Sequence, residues 1–122
     1  MDVIARAMGP LLLSEYSKRM YTELVAHIEA MIARQRPEAS AAAALAMSEL
    51  PDRHHVLRAF TVPALVITDD DDALMTLPTT EAMADALPNG LVVLLEHAGQ
   101  LSNMKATEVF NGTVRGLVEK LQ

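Results

Sequence analysis

From Ser14 to Gln35 the apolar residues Met20, Leu24, Ile28, Met31 and Ile32 recur at three- and four-residue intervals, with Lys18, Arg19, Glu23 and Glu29 elsewhere on the turn. That spacing predicts one amphipathic helix with a single face to bury. Pro37 suits the first turn of a second helix, continued by Glu38 and the alanine-rich run Ala39 to Met47, whose small side chains allow close helix–helix approach. Pro51 and Asp52 end that helix and open a short third one carrying Arg53, His54, His55, Val56 and Leu57. The first half of the chain reads as helical throughout.

At Val62 the period changes. Val62 to Ile67 is a continuous apolar run that ends in the acidic loop Asp69 to Asp72, the pattern of a strand buried on both faces. Pro78 with Thr79, Thr80 and Glu81 starts a helix through Met83 and Ala86, and Pro88-Asn89-Gly90 stops it. A second buried strand, Leu91 to Leu95, follows. After the loop Glu96 to Asn103, a last helix from about Ala106 to Leu121 is expected to turn Val109, Phe110, Val114, Leu117, Val118 and Leu121 toward the sheet. Strand, helix, strand in this order implies a parallel pair joined by a right-handed crossover. The fold class is α/β: a helical segment over residues 1–60, then a β-α-β-α unit over 61–122, forming one cooperative unit.

Two parallel strands leave two unpaired edges, and parallel sheets normally have more strands and covered faces. A homodimer that completes the sheet is therefore expected.

Composition narrows the classes. The 122 residues are 51% apolar but only 3% aromatic, without Trp, so the core must come from aliphatic residues and eight Met. Ten basic against sixteen acidic side chains give a net charge of -6, and no Lys/Arg cluster could neutralise a run of phosphates, which argues against nucleic acid. There is no Cys, which removes disulfides, thiolate nucleophiles and sulfur-ligated zinc. No apolar run reaches the roughly 18 residues that span a bilayer, so no membrane partner and a cytoplasmic location are expected.

Several stretches carry a resemblance. Val62 to Thr68, Asp70 to Leu74, Ala98-Gly99, Leu101-Ser102-Asn103 and Phe110-Asn111 resemble the final third of α/β-hydrolases of the enol-lactonase and carbon-carbon hydrolase type. In that family the pattern runs roughly VPxLVIxGxxDxLTP, helix, strand, GAGHLSNxExPExFN and a closing helix. The match covers about residues 60 to 121, and residues 1 to 60 resemble the helical cap that precedes it. The resemblance implies that Asp72 occupies the place of the triad acid and Gln100 that of the catalytic histidine. An amide cannot take a proton from a serine near neutral pH, so the general base is missing. The G-x-S-x-G nucleophile elbow does not occur in these residues either. Asp69 and His97 stand where the family usually has Gly.

Asp69 follows the first strand and Glu96-His97 the second, so parallel pairing brings them to one C-terminal edge, where open α/β sheets bind ligands. His97, Asp72 and Asp69 are the candidate catalytic residues. Asp69, Asp70, Glu96 and His97 are a candidate metal set, with hard oxygens and an imidazole suited to Zn or Mn. The competing reading is a solvated acidic turn with one Asp capping the next segment. His54, His55 and His27 read as surface or half-packed side chains, and Ser14, Ser17, Ser40, Ser48 and Ser102 as helix-start, helix-surface or loop serines. Three functions stay open: a minimal hydrolase of activated esters or phosphoesters, a non-catalytic self-associating or partner-binding remnant, and one half of a split enzyme.

Overall fold

The computed structural model describes residues 1–122. Eight helices and two strands follow in the order α1 (Asp2–Met8), a 3-10 segment (Gly9–Leu12), α2 (Glu15–Met20), α3 (Thr22–Ala33), α4 (Pro37–Ser48), α5 (His54–Arg58), β1 (Ala64–Asp69), α6 (Leu77–Ala86), β2 (Gly90–Leu95), α7 (Ser102–Lys105) and α8 (Thr107–Lys120). The expected α/β class and the helical-then-βαβα order hold.

The helix expected over 14–35 is broken at Tyr21, whose φ of -130° and ψ of 62° leave the helical region. Its N–H closes α2 on the Ser17 carbonyl, and its own carbonyl accepts from Leu24 and Val25 to open α3. The Lys105 ammonium lies 4.3 Å from the centre of the Tyr21 ring, a cation–π contact that holds the corner. The break scatters the predicted apolar face. Ile28 is buried, whereas Met20 is 60% exposed. α3 packs instead on α1, which lies within the segment expected to be helical but N-terminal to the first helix that the periodicity marks. α4 is a helix as expected, yet it buries none of its residues, its alanines included.

β1 and β2 form a parallel two-stranded sheet, in register from Ala64 opposite Gly90 to Asp69 opposite Leu95. α6 is the crossover, and the buried hydroxyls of Thr68 on β1 and Thr80 on α6 meet at 2.8 Å. β1 starts two residues later than expected and runs on to Asp69, which belongs to the strand rather than to the loop, whereas β2 starts one residue earlier than expected, at Gly90. β2 is not buried on both faces, since Leu91, Val92 and Leu94 are exposed. Val109, Val114 and Val118 of α8, and Leu121 at its C-terminal end, are likewise exposed rather than turned onto the sheet. The physical reason is the same for both: periodicity marks a face that prefers burial, but two strands offer too little area to bury it.

The interior is small and, at its centre, polar. Ser14, Ser17, Thr68, Asp69 and Thr80 are buried alongside Ala5, Leu13, Ile28, Val66, Ala84, Leu95 and Ala98. No helix is long and apolar enough to cross a membrane.

Candidate active site at the C-terminal ends of the strands

Three segments meet where β1 and β2 end: the acidic loop after β1, the loop from Glu96 to Leu101 after β2, and the start of α2. Ser14 caps α2, its Oγ accepting the Ser17 N–H at 3.0 Å. The hydroxyls of Ser14 and Ser17 both reach the carbonyl of His97, at 2.6 and 2.7 Å. In the same peptide group the Ala98 N–H donates to Asp69 Oδ2 at 2.7 Å, and in the preceding one the His97 N–H donates to Asp70 Oδ1 at 3.3 Å. Four side chains therefore hold the two peptide groups that flank His97.

That clamp accounts for an unusual backbone. His97 has φ of 57°, the left-handed region that Gly enters freely and that costs other residues about 1 kcal/mol or more. Its ring is exposed and lies 5.0 Å from that of Tyr16. Two residues on, Gly99 has φ of 74°, and a Cβ there would come within 2.6 Å of the Ser14 amide nitrogen. The Leu101 N–H donates to the Leu12 carbonyl at 3.1 Å, so the loop is laid directly on the chain entering α2.

The four aspartates divide their work. Asp69 is buried, and its Oδ1 accepts from the Asp71 N–H at 2.8 Å while Oδ2 takes Ala98. Asp71 Oδ2 accepts the Glu15 N–H at 3.1 Å, at the start of α2. Asp72 Oδ1 accepts from the N–H groups of Leu74 and Met75 at 2.8 and 3.0 Å. The like charges are thus relieved by backbone donors at the loop and at a helix start. With its amide nitrogen toward Asp72, the orientation that satisfies both groups, Gln100 donates to Asp72 Oδ2 at 2.6 Å and to Oδ1 at 3.2 Å.

The metal set Asp69, Asp70, Glu96 and His97 is not assembled. No group of three or more His, Asp or Glu side chains gathers where it could hold a metal ion. The carboxylate of Asp69 is committed to two backbone N–H groups, and that of Asp70 reaches the backbone of His97 rather than its ring. Asp72 instead meets Gln100, and beside that pair runs a cleft of about 290 Å³, lined by β1 from Leu65 to Asp69 together with Met75, Met83 and Ser102. Ser17 is not on the helix surface as its position suggested, because it is wholly buried. Its spacing to Ser14 signals a helix start, but its partner 80 positions away left no local trace.

No family model matches the chain. A putative carbamate hydrolase, RutD of Pseudomonas syringae pv. syringae (strain B728a), is 31% identical across 71% of this chain and 39% of that protein. Among solved structures, a thermophilic esterase from Thermogutta terrifontis superposes with a TM-score of 0.90 at 36% identity, covering 97% of this chain and 43% of its own. The chain is related to the α/β-hydrolases. Est816, an N-acyl homoserine lactone degrading enzyme, shares the fold at a TM-score of 0.75 and 23% identity, over 93% of this chain and 47% of that one. The chain therefore spans about two-fifths of the curated hydrolase it matches and less than half of these α/β-hydrolase structures. It is a hydrolase-like protein, and the hydrogen-bonded pair beside its cleft is an acid and an amide.

Proposed function

We propose that the cleft along β1 binds a small acyl compound, an ester, lactone or carbamate, and that the Asp72–Gln100 pair occupies the place of an acid–histidine pair without its proton chemistry. The observation that carries this reading is the Gln100 side-chain amide set against both oxygens of Asp72, at 2.6 and 3.2 Å with its nitrogen assigned to that side. A histidine in that place would accept a proton from a nucleophile while the carboxylate steadied the resulting imidazolium. The amide has no basic nitrogen near neutral pH, so it satisfies the carboxylate and orients nothing that titrates. The relatives act on esters and carbamates by their names, which supports an acyl carbonyl as the ligand.

The test is aryl-acetate hydrolysis by this chain, with ligand binding followed through the amide resonances of residues 65–69 and 99–102. The expected result is saturable shifts in those resonances and no burst of phenolate. A burst equal to the protein concentration, lost in Gln100→Ala, would show that the amide takes part in nucleophilic chemistry and would overturn the proposal.

A second reading rests on His97, whose exposed imidazole is held out beside Tyr16 by a clamped, left-handed backbone. Residues kept in sparsely populated backbone regions cluster at functional sites. In this reading His97 is the base for water attacking an activated ester or an aryl phosphoester. Equal turnover of both substrates by the wild type and His97→Ala removes it.

A further inference from the structure

We propose that Asn89-Gly90 is a self-modifying site, at which the Gly90 nitrogen attacks the Asn89 side-chain carbonyl and the asparagine ages to an aspartyl or isoaspartyl residue that loosens the start of the sheet. The chain has two Asn-Gly steps, Asn89-Gly90 and Asn111-Gly112, and asparagine is a thermolabile residue. A following glycine lets the next nitrogen approach most freely, because it carries no Cβ and its backbone is the least restricted. As the new N–C bond forms, the bond from Cγ to Nδ2 breaks, ammonia leaves with the Gly90 proton, and a five-membered imide remains. Water then adds to one of the two imide carbonyls. Opening on one side gives the aspartyl chain, and on the other the isoaspartyl chain.

The fold treats the two steps differently. Asn111 and Gly112 lie inside α8, where the Gly112 N–H belongs to the helix ladder and its nitrogen cannot reach the preceding side chain until that turn opens. Asn89 lies in the turn between α6 and β2, and Gly90 is the first residue of β2. The Ala64 N–H donates to the Asn89 carbonyl at 3.1 Å, which in a parallel ladder leaves Gly90, opposite Ala64, with its N–H pointing away from β1. Both asparagines are exposed, so access to water does not separate them. The restraint at Asn89 is the bond from its Nδ2 to the Thr61 carbonyl, which holds the side chain but not the Gly90 nitrogen.

Packing also keeps the labile pair in place. A Cβ at position 90 would lie 2.9 Å from the Leu87 Cβ and 3.2 Å from the Ala84 carbonyl oxygen, whereas one at position 112 would meet nothing within 4 Å. Conversion at position 89 removes the donor to Thr61 and sets a carboxylate against that carbonyl. The isoaspartyl form routes the main chain through the former side-chain carbons, which lengthens it before Gly90 and displaces the bond from Ala64 that opens the ladder.

The experiment is peptide mapping by mass spectrometry of the full chain aged at mildly alkaline pH, folded and, in parallel, in urea. In the folded chain position 89 should convert about tenfold faster than position 111, a barrier difference of ~1.4 kcal/mol, and urea should remove the difference. In the aged folded protein the Ala64 amide should exchange about tenfold faster than in fresh protein, and Asn89→Gln, whose longer side chain cyclises poorly, should keep its protection. Equal conversion at the two positions in the folded chain, or none at position 89 when the urea sample has converted there, overturns the proposal. So does conversion at position 89 that leaves Ala64 exchange unchanged. These wild-type readings decide the matter even if circular dichroism shows Asn89→Gln to be unfolded.

Discussion

The carboxylate of Asp69, at the last position of β1, accepts the backbone N–H of Ala98 at 2.7 Å, and both groups are buried. This bond fastens the loop after β2 to the end of β1, and Asp69 Oδ1 fastens the acidic loop in turn. The residue reads in sequence as a candidate for chemistry, but its hydrogen bonds are those of a structural brace.

Removing that brace should be costly. Asp69→Ala leaves the Ala98 N–H buried without an acceptor, for which a loss of about 2 kcal/mol is expected. Asp69→Asn keeps an acceptor oxygen for one amide and should lose less. Urea unfolding of the three proteins checks this; an alanine variant within 0.5 kcal/mol of wild type, a threshold set at about the usual effect of surface changes, would sink the assignment.

The two left-handed residues of the same loop should respond in opposite ways. Gly99→Ala drives a Cβ into the backbone of Leu13 and Ser14 at a positive φ, and a loss of about 2 kcal/mol or more is expected. His97→Gly removes left-handed strain worth about 1 kcal/mol and adds a similar entropy to the unfolded chain, so stability should stay within about 0.5 kcal/mol of wild type. Thermal unfolding of both variants measures the contrast. Comparable losses in the two would mean that His97 is held by side-chain packing rather than by the clamp on its peptide groups.

Acid should act at two exposed carboxylates. Asp52 accepts the His54 N–H at the start of α5, and this bond, then the one to the His54 ring, hold its carboxyl below the ordinary carboxylate value. Glu15 is also lowered, chiefly by its hydrogen bond to Lys18. A depressed folded-state value means that the stabilisation is present above the unfolded pKa, near 4, and is lost as pH falls through the folded value. Asp52→Asn should therefore flatten the stability profile below about pH 4. Both groups are fully exposed, so the effect should shrink as salt is added. An unchanged acid limb in Asp52→Asn counts against this account.

Much of the outline was legible in the chain itself. Pro78, Pro88-Asn89-Gly90 and the two aliphatic runs mark β1, α6 and β2 because turn chemistry and hydrophobic period act over a few residues. The break at Tyr21 was not legible, since the apolar spacing continues through it and the contact that holds the corner, Lys105, comes from far along the chain. The pairing of Asp72 with Gln100 could be anticipated only from resemblance. The roles of Ser14 and Ser17 could not be anticipated, because their partner carbonyl becomes a neighbour only when the loop after β2 folds onto α2.

What the sequence by itself determined is therefore local: which segments coil, which extend, and that the acids and His97 fall near one end of a parallel pair. Which of those side chains brace the backbone and which face a cleft was decided by the tertiary structure alone. The reason is that a carboxylate surrounded by water and one surrounded by N–H donors are the same residue in the sequence. Only the folded chain supplies the donors, and at Asp69 it supplies two from the backbone.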